Sequence, residues 1–140
     1  MVEALIDTRL HTSLQMHGVL HGFRAGRGTG TAIMELNLAQ ELASIDQDPL
    51  FLLLLDLRKA YDTLGRDWLL ITLEGYGAGP RMCGLLEFFW EFQQVAPRQN
   101  GFHGPAFPAT RGTTQGGIMS PTLFNVVVDS VIRTWMSMTV

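Results

Sequence analysis

The chain has 140 residues and a formal net charge of −3, with 46% hydrophobic and only 16% charged residues. Its length is that of one ordinary domain or of a piece of a larger protein, and its charged fraction lies well below the roughly 25% that is usual in soluble domains. Intrinsic disorder is excluded, because disordered segments combine low apolar content with high charge. The apolar excess predicts faces that pack against protein outside this sequence.

Neither a membrane span nor an export signal is predicted. The longest uninterrupted apolar stretch, residues 50–55, is far shorter than the roughly 18 residues that a bilayer requires. Glu3 and Asp7 lie where a secretory signal would be basic, so an intracellular location without membrane contact is expected. The single cysteine, Cys83, permits no internal disulfide.

The basic residues are unevenly placed along the chain. Nine of the ten are arginine, whose planar guanidinium suits phosphate. Residues 8–34 and 92–128 contain no acid and are therefore locally basic. These two segments could contact nucleic acid, although codon bias would explain the arginines equally well. The arginines in them are Arg9, Arg24, Arg27, Arg98 and Arg111.

The first half of the chain predicts helices followed by one buried strand. A weak helix is expected in the first twenty residues, and a glycine-rich connection at 21–30 leads to a helix over about residues 31–43. Residues 50–57 form an apolar run that does not alternate, which predicts a strand buried on both faces. Asp56 lies at its end and must be paired, hydrogen-bonded or metal-bound if it is buried. By the residues alone, a simple cap on the next turn is equally favoured.

The second half predicts two helices and a hairpin. A helix over about residues 67–74 ends at two glycines, and Pro80 opens the next helix. The aromatic group at 88–92 could stack bases, but its helical spacing favours the core. A loose hairpin is expected over 93–111, with a turn at Asn100-Gly101, where positive φ is accepted.

The last predicted helix opens with Ser120 as N-cap and Pro121 at the first helical position. Phe124, Val127, Val131 and Trp135 form one stripe along it. A polar stripe recurs every fourth residue, and it places Asp129 and Arg133 as an i,i+4 ion pair. The members of that polar stripe are Asn125, Asp129 and Arg133.

Three sequence blocks in order resemble those of reverse transcriptases of the non-LTR retrotransposon and group II intron type. The blocks are HGFRAGRGT at 21–29, LDLRKAYD at 55–62 and RGTTQGGIMSPTLFN at 111–125. Three ordered blocks are far more specific than any one of them. The resemblance implies an α/β fold, namely an incomplete right-hand polymerase palm over about 49–140 with fingers-side helices over about 1–48.

The resemblance also implies roles for single residues around the nucleotide. Asp56 matches the metal-binding aspartate of the palm, and Leu57 matches the residue whose backbone carbonyl faces the metal. Tyr61 matches the aromatic residue that lies under the incoming sugar, with Lys59 and Ala60 beside it in the nucleotide site.

The third block supplies the remaining implied contacts. Gln115 and Gly116 match the pair that lies over the nascent base pair. The residues implied to lie near nucleic acid are Arg24, Arg27, Arg111, Ser120 and Pro121.

The implied activity is RNA-templated addition of deoxynucleotides to a primer 3′-hydroxyl with two Mg²⁺ ions. Its partners would be an RNA template, a DNA primer, a dNTP, and the remaining palm and thumb. The family takes further carboxylates from a later Tyr-X-Asp-Asp block, and this sequence contains no Asp-Asp dipeptide. The chain is therefore expected to hold half of the active site and to be inactive alone. The alternative is a non-catalytic, nucleic-acid-binding remnant of a mobile element.

Overall fold

The computed structural model describes residues 2–114 and 116–139. Within these ranges it consists of helices with two very short antiparallel ladders, and none of the described helices is both long and apolar enough to cross a membrane. The helices are α1 Val2–Ser13, α2 Thr29–Asp46, α3 Ala60–Thr63, α4 Arg66–Gly75, α5 Pro80–Glu91 and α6 Ser120–Met138; the strands are β1 Gln94–Val95, β2 Arg98–Gln99, β3 Phe102–His103 and β4 Phe107–Pro108.

The helices predicted from punctuating glycines and prolines are confirmed. α4 follows Gly65 and ends at Gly75, and α5 begins at Pro80, whose missing N–H costs nothing in the first turn. α6 begins at Ser120, so Pro121 is its second residue rather than its first. The predicted N-cap is wrong, because the Ser120 hydroxyl donates to the carbonyl of Thr114, 2.6 Å away, instead of capping the helix.

The hydrophobic core lies between α1, α4, α5 and α6. α4 and α6 make the most extensive helix contact, and α1 and α5 pack against this pair. Burying these aliphatic side chains is the main favourable contribution to folding. The least exposed apolar members are Ile6, Leu10, Leu69, Leu73, Leu86, Leu123 and Val126.

On α6 the polar stripe is not simply exposed and the apolar stripe is not simply buried. Asn125 and Asp129 are buried, whereas Val131 and Trp135 are exposed. The aromatic group at residues 88–92 is likewise divided: Trp90 is buried in the core, as expected, but the rings at 88 and 92 are exposed and pack against each other at a tilt.

α2 is peripheral, because none of its 18 residues is buried. One histidine ties it to the preceding loop. His21 Nδ1 lies 2.7 Å from the Thr31 hydroxyl, and Nε2 lies 3.0 Å from the Glu35 carboxylate. The helix is longer at both ends than the sequence predicts.

The predicted hairpin is confirmed as two nested ladders. β2 pairs with β3 around Asn100 and Gly101, whose φ values of 49° and 83° suit a tight two-residue turn. β1 pairs with β4 outside them.

The predicted buried strand over residues 50–57 is wrong. This segment forms neither helix nor strand, and Leu53, Leu54 and Leu55 are 81%, 93% and 83% exposed. A strand requires hydrogen-bonding partners at its edges, and the described strands pair only with each other. Asp56 therefore does not end a central strand here, and the described residues form a mixture of helices with few strands.

Candidate functional site

The second and third sequence blocks meet at a turn beside α6. Lys59 takes a left-handed conformation with φ 52°, and Ala60 then begins the short helix α3. The half-buried Tyr61 ring packs at a tilt against Phe124 of α6, with ring centroids 5.4 Å apart. This contact fixes one face of the tyrosine ring.

Gly112 brings the third block directly onto this turn. Its N–H donates to the Leu64 carbonyl at 2.9 Å, and the N–H of Thr113 donates to the Tyr61 carbonyl at 3.0 Å. Gly112 has φ +75°, and a Cβ there would lie 2.6 Å from the backbone carbonyl oxygen of Tyr61. Only glycine therefore permits this backbone approach without a shift.

Arg66, which the sequence did not single out, binds the 109–112 segment through its guanidinium group. Its Nε donates to the Gly112 carbonyl at 3.1 Å and its Nη1 to the Ala109 carbonyl at 2.5 Å. Its Nη2 donates to Gln93 Oε1 at 2.6 Å, and the guanidinium lies over the Trp90 ring at 5.3 Å. Burial lowers the pKa of this guanidinium from its ordinary value.

The segment after Gly112 is bonded to α6 and to the residue Gln93 that follows α5. The Thr114 carbonyl accepts the hydrogen bond from Ser120, and the Thr114 hydroxyl accepts one from the Gln93 amide. Gln115 lies outside the described residues. Gly116 is exposed with φ +86°, and Pro121 is half-buried at the start of α6.

Asp56 and Leu57 are both exposed. Within residues 2–114 and 116–139, no side chain forms an ion pair or hydrogen bond with Asp56, and no cluster of three or more metal-binding side chains occurs. The unpaired carboxylate and the adjacent carbonyl suit a hard cation, but Mg²⁺ prefers six oxygen ligands. These residues can therefore supply only part of a metal site.

The arginines of the first block are engaged within their own loop. Arg24 donates to the carbonyl of His17 at 2.7 Å, and Arg27 donates to the carbonyl of Gly18. Asn125 of α6 anchors the same loop by donating to the Gly22 carbonyl at 2.8 Å. Arg111 is exposed beside Gly112. The structure thus brings Arg111 to the Tyr61 turn, while Arg24 and Arg27 belong to a separate loop.

The predicted ion pair between Asp129 and Arg133 is confirmed, with Nε 2.6 Å from Oδ2. Its burial was not foreseen: Asp129 is 0% exposed and also accepts hydrogen bonds from the Tyr76 hydroxyl and the His17 N–H. Burial alone would raise the pKa of Asp129, but these hydrogen bonds and Arg133 outweigh it and hold the pKa below its ordinary value. Asp129 therefore fastens the loop that carries Arg24 to α6.

Residues 1–139 match the family model described as reverse transcriptase (RNA-dependent DNA polymerase). A curated relative is the retrovirus-related Pol polyprotein from type-2 retrotransposable element R2DM of Drosophila melanogaster, 27% identical over 133 residues. That match covers 95% of this chain and 13% of the relative, so the chain spans a small part of that protein. Since the family model covers nearly all of its residues, the chain belongs to the reverse transcriptase family.

Proposed function

We propose that this chain is the nucleotide-contacting part of an RNA-directed DNA polymerase, with fingers-side helices over about 1–48 and part of the palm over about 49–140. The observation that carries the proposal is the backbone contact at Gly112. It joins the turn with Tyr61 to the loop that leads to Gly116. Two of the three family blocks thus form one local unit.

In this proposal Tyr61 lies beneath the incoming sugar and disfavours a 2′-hydroxyl. Its packing against Phe124 supports the role, because a ring fixed on one side can act as a rigid steric wall. Lys59 and Ala60 form the edge of the nucleotide site, and Gln115 and Gly116 lie over the nascent base pair. Such contacts place the reacting groups, and positioning is a large part of catalysis in phosphoryl transfer.

The metal part of the proposed site is shared with residues beyond these. The Asp56 carboxylate and the Leu57 carbonyl would each offer an oxygen to Mg²⁺, which would activate the primer 3′-hydroxyl and stabilise the leaving pyrophosphate. The remaining ligands would come from the substrate phosphates and from carboxylates outside this sequence. The 140 residues alone are therefore expected to show no synthesis.

Nucleic-acid contacts are proposed for Arg111 and the start of α6 beside this unit, and for the separate loop that carries Arg24 and Arg27. Arg111 follows the hairpin and is exposed next to Gly112, where it can reach a phosphate. Ser120 and Pro121 would lie near the template at the start of α6. Arg24 and Arg27 would contribute through the guanidinium nitrogens not used in holding their loop.

The test is RNA-templated primer extension by the protein expressed with everything its gene encodes around these residues. We expect Mg²⁺-dependent synthesis that falls at least about 100-fold in Asp56→Asn, because a metal ligand is lost. Asp48→Asn is the matched control, since Asp48 is also an exposed acid and lies before the apolar segment. Synthesis that survives Asp56→Asn would contradict the proposal.

The alternative, a non-catalytic nucleic-acid-binding remnant of a mobile element, predicts different results in binding and synthesis assays. It would bind RNA with an affinity that falls steeply as salt rises, because phosphate contacts release counterions. It would show no synthesis at full gene length. That combination would replace the polymerase proposal.

A further inference from the structure

Arg66 occupies an unusual position for an arginine on an amphipathic helix. It is the first residue of α4, and its half-buried side chain reaches the base of the hairpin. The guanidinium donates to acceptors on two segments: Trp90 and Gln93 at and just after the end of α5, and Ala109 and Gly112 in the 109–112 segment. Every one of these bonds carries the strength that a charged donor gives.

The 109–112 segment is the part of the third block that touches the Tyr61 turn. Arg66 binds it at two carbonyls, those of Ala109 and Gly112, while the N–H of Gly112 faces the turn. The 109–112 segment is thus hydrogen-bonded both to the Arg66 side chain and to the backbone of residues 61–64. Loss of the Arg66 hydrogen bonds should therefore weaken the backbone hydrogen bonds to residues 61–64.

We propose that Arg66 is a positioning residue that makes the Tyr61 turn and the 109–114 segment move as one unit, and so sets the shape of the nucleotide site. The inference rests on the proposed function for its nucleotide consequence, but the mechanical coupling does not. Lysine cannot replace Arg66, because a single ammonium cannot reach acceptors that lie in different directions around a planar fork.

Amide hydrogen exchange of the protein at full gene length tests the coupling without any need for catalysis. In Arg66→Lys we expect the amides of Gly112 and Thr113 to exchange at least about tenfold faster, in line with the loss of charged hydrogen bonds. The amides of α6 should be unchanged. Arg81→Lys is the matched control, since Arg81 is exposed on α5, and it should alter neither region.

Unchanged exchange at Gly112 and Thr113 would overturn the proposal. So would an equal acceleration in α6, because that would show a general loss of stability rather than a local release. Gln93→Ala is a milder second variant at a half-buried site. It removes one acceptor of Arg66 together with the hydrogen bond from the Gln93 amide to the Thr114 hydroxyl, and it should accelerate the same amides about threefold. The two changes together should be less than additive, because they act on one network.

Steady-state kinetics of the protein at full gene length test the nucleotide consequence. We expect Arg66→Lys to raise the dNTP KM about tenfold, the size of one lost charged contact, with unchanged affinity for primer and template. An unchanged KM together with faster exchange would overturn the positioning role. Absence of synthesis in the unaltered protein would overturn the proposed function, and the exchange result would still decide the coupling.

Discussion

Asp129→Asn removes a buried charge while keeping the shape of the side chain. Asp129 is 0% exposed and accepts hydrogen bonds from Arg133, Tyr76 and the backbone of His17. An asparagine can still accept with its oxygen, but its NH₂ group would face donors. Hydrogen bonds to a charged group contribute about 1.5–3 kcal/mol each.

The expected loss is smaller than the sum of these bonds. The Arg133 side chain is 48% exposed, so water can solvate its guanidinium when the carboxylate is gone. We expect the free energy of unfolding to fall by about 2–4 kcal/mol. For a domain of this size that corresponds to a Tm lower by roughly 6–12 °C.

The stabilisation by the Asp129 carboxylate should depend on pH. Because the pKa of Asp129 is lowered in the folded state, its stabilising effect is complete above the ordinary carboxyl pKa of about 3.9. The effect is lost as the pH falls through the lower pKa of the folded state. The difference in Tm between the two proteins should therefore begin to narrow as the pH falls below about 4.

Thermal unfolding followed by circular dichroism at pH 7 and at pH 3 measures both quantities. Asp48→Asn is the control, because this exposed acid should change stability by less than about 0.5 kcal/mol. The reasoning fails if Asp129→Asn melts within 2 °C, or about 0.5 kcal/mol, of the unaltered protein at pH 7. It also fails if the difference is as large at pH 3 as at pH 7.

Four further substitutions can be measured by the same unfolding assay. Thr113→Val should be neutral or stabilising, because the buried Thr113 hydroxyl has no partner among the described residues. Thr122→Val should lower the free energy of unfolding by about 1–3 kcal/mol, because the Thr122 hydroxyl donates to a carboxylate at 2.5 Å. Equal effects of the two substitutions would contradict this reasoning. Gly112→Ala should cost about 2–5 kcal/mol, because φ is +75° and its Cβ would lie 2.6 Å from a facing carbonyl oxygen; a normal Tm would show that the backbone contact is absent. Burial and Asp129 raise the pKa of Tyr76 to about 12. The neutral tyrosine should therefore stabilise the fold fully below pH 10, and this stabilisation should be lost as the pH rises through 12. Tyr76→Phe should abolish this alkaline loss of stability.

Local chemistry determined what could be predicted from the sequence. Gly75, Pro80 and Pro121 mark helix boundaries that depend on the backbone preferences of those residues alone. Asn100-Gly101 likewise specifies its turn within two residues. The spacing of Asp129 and Arg133 was sufficient to predict their ion pair.

What could not be predicted depends on distant parts of the chain. The composition of the apolar run at 50–57 favours a buried strand, and that prediction is wrong because a strand forms only where other strands offer hydrogen bonds. Arg66 gave no signal, because its acceptors are backbone carbonyls more than twenty residues away. The burial of Asp129 was hidden for the same reason, since two of its donors come from α4's end and the first loop.

The exposed run at 50–55 also decides how Asp56 should be substituted. Six uncharged apolar residues without proline are the type of segment that stacks into amyloid-like steric zippers. Pro49 and Asp56 flank it as gatekeepers that oppose such stacking. Alanine at position 56 would extend the uncharged run through Leu57, and fibril formation could then imitate a loss of chemistry. Asparagine keeps a polar group at the boundary and separates solubility from catalysis.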